Sequence, residues 1–424
     1  MLWFAAYGVR IVMVILVLAV GGAILGSLPR NHLTVEVGTK GGLFDVMAQS
    51  LRTDLKPYGV TVDIVNRADS KNIIEDIANK NIDVDAGFVA SEVPEGFNDF
   101  VRQAGTVMYS PVYIVTGANS GIQSVSDIAG KKLSLYPKDS AAWSVCEYVL
   151  RSYGVSLVDE LSTYGNGLKV LDNTATGVTD AGCLIDVPAG SSIGYAADSL
   201  KRLADPRLRF LEITESQAIE VNEDFLVASQ IDAGTFEIFP NVKPEENIET
   251  NAALVTFVGK ESLPRELVTL IAQSFRLQYG NGTAVNDAGE LPSTQLSSIA
   301  PFEGAQDVFE NGLPWLYRNA PFPLAAFLDK FLSTYGLFLT TLFLVLAVTD
   351  NIGLVKPWHL VRRSRQPRMR LMAQTIAERQ QANGTLSRSD QRKLAVVERW
   401  IKSQNQGLGE VEDLLRQVEA NSKT

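Results

Sequence analysis

The chain has 424 residues and a formal net charge of −10, with 38 Lys+Arg against 48 Asp+Glu, two Cys and two His. Residues 351–424 hold 14 basic and 7 acidic residues, whereas residues 31–350 hold 22 basic and 41 acidic, so the acid is concentrated in the middle. That balance excludes nucleic acid as a partner for the middle of the chain. With His32 and His359 at its margins and two separated cysteines, the sequence offers no metal-ligand spacing and no Ser-His or Cys-His catalytic set, so neither a cofactor nor an enzyme is expected.

In chain order, the first feature is an uncharged apolar stretch, Ile11 to Leu28. A second runs from Phe331 to Thr349. Each approaches the ~20 residues that a helix needs to cross a bilayer. Arg10 precedes the first, and Lys356, Arg362, Arg363, Arg365, Arg368 and Arg370 follow the second. Basic residues stay on the cytoplasmic side, so both termini are expected there and the middle outside, with Arg30 a counter-signal. Gly21 and Ala23 would fit signal cleavage, but the apolar run continues through Ile24, Leu25 and Leu28, which favours an uncleaved anchor. The expected organisation is an anchor over 1–30, an extracytoplasmic domain over 31–325, a second span over 326–350 and a cytoplasmic basic tail over 351–424.

Within the middle, apolar strands alternate with amphipathic helices. Strands are expected at Leu33–Val37, Val60–Val65 and Val84–Val89, with helices at Phe44–Lys56 and Lys71–Asn79 between them. This β-α-β-α-β order implies a parallel sheet covered by helices. A second unit follows: a strand Val112–Thr116, a turn Val125–Ile128, a strand Lys132–Tyr136, a helix Ala141–Tyr153 and a strand within Gly182–Val187. Later come a strand Ala252–Val258 and a helix Pro264–Arg276 with proline in its first turn. The expectation is α/β, two lobes that the chain visits more than once, with a hinge between them. Cys146 and Cys183 could pair in an oxidising compartment, but are read here as two separate buried small apolar residues.

Open α/β sheets hold ligands beyond the carboxyl ends of their strands. Three loops lie there. In Gly38–Gly42, Thr39, Lys40, Gly41 and Gly42 precede a helix whose N-terminus favours an anion. Asp69 and Ser70 begin a second helix. The third, Pro137–Trp143, offers Lys138 as a cation, Ser140 and Ala141 at a helix start, and Trp143 as an apolar wall. Tyr109, Tyr113 and Asp186 lie near strand ends, and Asp186 could accept a hydrogen bond from an ammonium group. Capping, core packing or solvation are the alternatives for each residue taken singly.

Six blocks in order resemble the TAXI family, the solute receptors associated with TRAP transporters. They are Val37–Gly42; Asp69-Ser70 through Asn81–Val84; Asn119–Ser124 through Gly130–Leu133; Ile231–Phe236; Leu254–Thr256; and Ala300–Ala305. The resemblance implies a type II periplasmic-binding-protein fold, two lobes closing on a small, anionic organic solute, with a separate permease. It departs where family members have a glycine-rich segment in place of Pro137–Trp143, and often Gly-Ser in place of Asp69-Ser70. In the tail, Leu394, Val397, Trp400 and Ile401 form one helical stripe and Val411, Leu414, Leu415 and Val418 another. The expected function is a membrane-tethered solute-binding protein serving a transporter or signalling partner. The alternative is a scaffold that binds no solute and docks a partner through this tail.

Overall fold

The computed structural model describes residues 30–351, apart from 68–71, 80, 91–95, 98, 139 and 194–195, together with 371–379 and 394–397. Two compact units divide at Thr334. The first stretch, Ile11–Leu28, lies outside the described residues, as do Asp69, Ser70 and most of the tail. The second stretch falls in a helix, Phe322–Asn351, whose side chains are described to Leu337 and at Thr340. Among the described residues no helix is long and apolar enough to cross a membrane.

Among the described residues, the first unit is built on ten strands. Strand β1 (His32–Val37) is flanked in parallel by β2 (Thr61–Asn66) and β3 (Ala86–Val89). Residues Leu33–Val37 of β1 and all of β3 are buried, as expected for parallel strands covered on both faces. Helix α1 (Leu43–Leu55) covers this sheet through Met47, Leu51 and Leu55, and α2 (Ile73–Ala78) through Ile73, Ile74 and Ile77. Three rings knit the core beneath: Phe88 lies 4.9 Å from Phe257 and 5.9 Å from Phe275.

Two long strands join the lobes. Strand β4 (Val101–Gly117) has 17 residues. Its first part pairs antiparallel with the later strand β10 (Ile248–Lys260), and its second part, Val112–Thr116, with β7 (Ala181–Ile185). The second lobe adds β5 (Leu133–Leu135) and β6 (Ser162–Tyr164) beside β7, and β8 (Leu208–Leu211) on β4. Strand β9 (Leu226–Ile231) pairs with the first half of β10. Its helices are α3 (Ala141–Ser152), α4 (Gly167–Ala175), α5 (Ala196–Leu203) and α6 (Ser216–Asn222). At the crossover, Ser110 Oγ donates to the Asp186 carbonyl at 2.7 Å and Thr250 Oγ1 donates to the Val112 carbonyl.

The first part of β4 escapes a reading by hydrophobic alternation because Gln103, Thr106 and Ser110 interrupt it. All three are fully buried and each finds a specific partner, although the Gln103 Oε1 acceptor is left without one. Gln103 Nε2 donates to the Ile299 carbonyl at 2.7 Å, and the Thr106 and Thr256 hydroxyls meet at 2.8 Å. The cysteines overturn the expectation of separate thiols: Cys146 and Cys183 are disulfide-bonded, with Cα atoms 5.9 Å apart. Helix α3 and strand β7 bring together residues 37 apart in sequence, a proximity that the spacing does not reveal.

The chain returns to the first lobe through α7 (Arg265–Tyr279), α8 (Glu303–Asn311) and α9 (Trp315–Asn319). The final helix, α10 (Phe322–Asn351), then begins by burying Phe322, Ala325 and Ala326. Tyr317 donates to Asp329 at 3.0 Å, and Lys330 lies 3.8 Å from the buried Glu266. These contacts fix the first turns of α10 to the first lobe. In the second unit, Met372, Ile376, Ala377 and Leu394 form a small apolar cluster.

Candidate functional site

A cavity of about 230 Å³ lies between the lobes. Three helices present their first turns to it: α1 with Gly42, Leu43 and Phe44; α3 with Ser140, Ala141 and Ala142; and α4 with Asn166, Gly167 and Leu168. These helices have 13, 12 and 9 residues. The first N–H groups of a helix have no partner within it, and its dipole places partial positive charge there. Three helix N-termini thus turn partial positive charge towards the cavity: among the described lining residues none is Lys or Arg, and Asp186 is the single carboxyl.

Each helix start is shaped by local chemistry. The α1 turn closes by a bond from the Gly42 N–H to the Thr39 carbonyl at 3.0 Å, with Gly41 at φ +78°, a conformation glycine adopts without strain. Asp45 then accepts from the Gly41 N–H at 2.8 Å and from Asn66 Nδ2 at 3.0 Å. Burial pulls the Asp45 carboxyl up, but bonds from Asn66, Gly41 and Gln49, with the charge of Lys40, outweigh it and hold the carboxyl below its usual range. At α3, Ser140 Oγ accepts from the Trp143 N–H at 3.2 Å and donates to the Pro137 carbonyl at 2.7 Å. At α4, Asn166 Oδ1 accepts from the Lys169 N–H at 3.0 Å.

Gly167 is where α4 comes nearest the site. A Cβ there would lie 2.6 Å from Tyr136 Oη and 3.8 Å from Asp186 Oδ2. Tyr136 itself donates to the Ile185 carbonyl at 2.8 Å. Asp186 is only 3% exposed, and its Oδ1 accepts from the Val187 N–H at 2.7 Å. Burial pushes its carboxyl up to about 6, against the lowering bonds from Ser199 and Val187.

Of the residues singled out in the sequence, Thr39, Gly41, Gly42, Ser140, Ala141 and Asp186 come together at the cavity. Lys40 is exposed beside it. Lys138 pairs with Asp159 at 2.5 Å. Trp143 is half-buried against the core. Tyr113 is buried with its ring 5.6 Å from Phe236 and 6.2 Å from Phe210, and burial, then the Asp186 charge, raise its hydroxyl far above the usual range. Asp69 and Ser70 lie outside the described residues. The whole α4 contribution, Asn166 to Leu168, is absent from the sequence reading, as are Ser110, Tyr136 and Ser199. The Asn166 cap ahead of Leu168, Leu171 and Ala175 was the available signal.

Two lobes of mixed sheet, long crossing strands and a cleft of helix N-termini define the class: an α/β periplasmic-binding-protein-like domain. Residues 41–235 match the family model described as an ABC transporter, phosphonate, periplasmic substrate-binding protein. No curated protein matches the chain. Among solved structures, the chain is similar to a putative sulfonate ABC transporter periplasmic sulfonate-binding protein from Methylobacillus flagellatus. The identity is 16%, over 58% of this chain and 67% of that one, with a TM-score of 0.34. It is also similar to an ancestral arginine-binding protein bound to arginine, at 15% identity over 60% and 95% of the two chains and a TM-score of 0.35. A histidine kinase sensor domain matches at 11% identity over 58% and 90%, with a TM-score of 0.34.

Proposed function

We propose that this protein is an extracytoplasmic receptor that captures a small organic anion between its lobes and passes it to a separate permease. The observation that carries the reading is the convergence of three helix N-termini, from both lobes, on one cavity free of Lys and Arg among its described residues. An anion would satisfy N–H groups of both lobes at once, and so favour the closed arrangement over the open one. The family match supports a solute-binding role and an ABC-type permease. The order of motifs that resembles the TAXI family supports a TRAP-type permease, and both readings place transport in another chain. The disulfide supports an oxidising compartment for the domain. The two uncharged stretches and the basic residues after the second support a membrane tether with both termini in the cytoplasm.

The test is thermal unfolding of the full chain in detergent with a panel of small phosphonates, sulfonates and carboxylates, set beside neutral and cationic solutes. An anion at about 100 times its Kd should stabilise the domain by about 2.7 kcal/mol. Stabilisation by neutral or cationic solutes alone would overturn the reading. Retention of the chain in membranes after an alkaline wash checks the tether, and its release would refute it.

A further inference from the structure

The disulfide lies at the root of two of the cavity's walls. Cys146 is on α3, six residues beyond the Ser140 cap, and Cys183 is on β7, three residues before Asp186. Both are buried, at 0% and 1% exposure. The cavity walls differ in how they are held. The start of α1 is tied to β2 by the Asn66 bonds to Asp45 and to the Gly38 carbonyl. The start of α4 is set by its Asn166 cap and by the close approach of Gly167 to Tyr136. On α3, the bonds of Ser140, Ser144 and Arg151 all stay within the helix and the turn before it. In its first half the buried contact with the core runs through Val145 and is apolar and non-directional. In its second half Val149 and Leu150 are joined by Tyr148, whose ring meets Phe225 edge-on. The bond to Cys183 is directional.

We propose that the Cys146–Cys183 bridge is a positioning element for ligand binding: it holds the N-terminus of α3 in register with the strand that carries Asp186. The anion-binding aspect rests on the function proposed above. Without the bridge, α3 keeps its apolar seat but loses its fixed placement along β7, and the three helix starts no longer converge on one point. The bridge is thereby a device of preorganisation, removing freedom that binding would otherwise have to remove.

The test compares the full-length protein with Cys146→Ala/Cys183→Ala, and with Cys146→Val/Cys183→Ala, which refills part of the sulfur volume. Inorganic phosphate and sulfate serve as probes, and hydrogen–deuterium exchange is followed by segment. The expected result is a tenfold or greater loss of probe affinity in both variants. Amide exchange should rise at 140–146 and stay unchanged at 38–44. Unchanged exchange at 140–146, an equal rise across the whole domain, or unchanged probe affinity overturns the proposal. Failure of the unaltered protein to bind either probe counts against the anion reading, and the segmental exchange still decides whether the bridge positions α3. If the alanine pair fails to fold, the valine variant carries the comparison.

Discussion

Asp186 concentrates the site's electrostatics in one carboxyl. Its folded-state pKa of about 6 lies above the ordinary aspartate value of 3.8, so the native state holds a proton more tightly than the unfolded chain. Stability is then greatest below about pH 4 as far as this group is concerned, and falls as pH rises towards 6, by on the order of 2–3 kcal/mol. Asp186→Asn should abolish that slope and raise the melting temperature at pH 8 while changing little near pH 4, as thermal unfolding across pH would read. The cysteine pair belongs to the same scale. Closing 37 residues constrains the unfolded chain by about 4 kcal/mol in the chain-entropy account. Its removal should therefore lower the urea midpoint markedly and steepen the slope, because the unfolded chain becomes less compact.

Among elements, the start of α4 is the most informative. Gly167→Ala places a methyl 2.6 Å from Tyr136 Oη, so the Tyr136 bond to Ile185 must shift and the cavity narrow. The expected outcome is a strong loss of ligand affinity, read by calorimetry, with a smaller loss of stability. Asn166→Ala removes the cap on Lys169 and should cost about 1 kcal/mol in denaturant unfolding. Apart from the first part of β4, the αβ alternation from residue 32 to 153 was legible because each strand is a short apolar run and each helix an amphipathic one. The Gly38–Gly42 turn and the Ser140 cap were legible as helix starts. Helix α4 was not, because it is only nine residues long and carries Lys169, Asp172, Asn173 and Thr174 among its apolar positions. The pairing of Cys146 with Cys183 depends on how α3 seats on β7, and no local pattern encodes that. The polar residues of β4 concealed a strand whose partners lie some 150 to 200 residues away.

At the scale of the molecule, β4 and β10 are the mechanical connection between lobes, crossing near Pro111 and Ala252. Bending there changes the cleft while the sheets on either side stay intact, the usual basis of hinge closure. Small-angle scattering should show a smaller radius of gyration when a tight-binding solute is added. An unchanged radius at saturation would rule out closure as the response. The first turns of α10 are seated on the first lobe by Phe322, Ala325 and Ala326, so they belong to the lobe that bears α1, and the second lobe is the part left to swing.

The path of the chain through β10 also sets an order of assembly. The sheet of the first lobe has β10 between β3 and β4, yet β10 is the last of its strands to be synthesised. Until residues 252–260 emerge, the facing edges of β3 and β4 have no neighbour, and exposed edges invite pairing with other chains. The second lobe, lying between Val112 and Ile231, lacks by then only the pairing of β9 with residues 248–253. Nascent chains stalled before residue 248 would carry a nearly finished second lobe beside an open first one, making that interval the time when this protein most needs a chaperone.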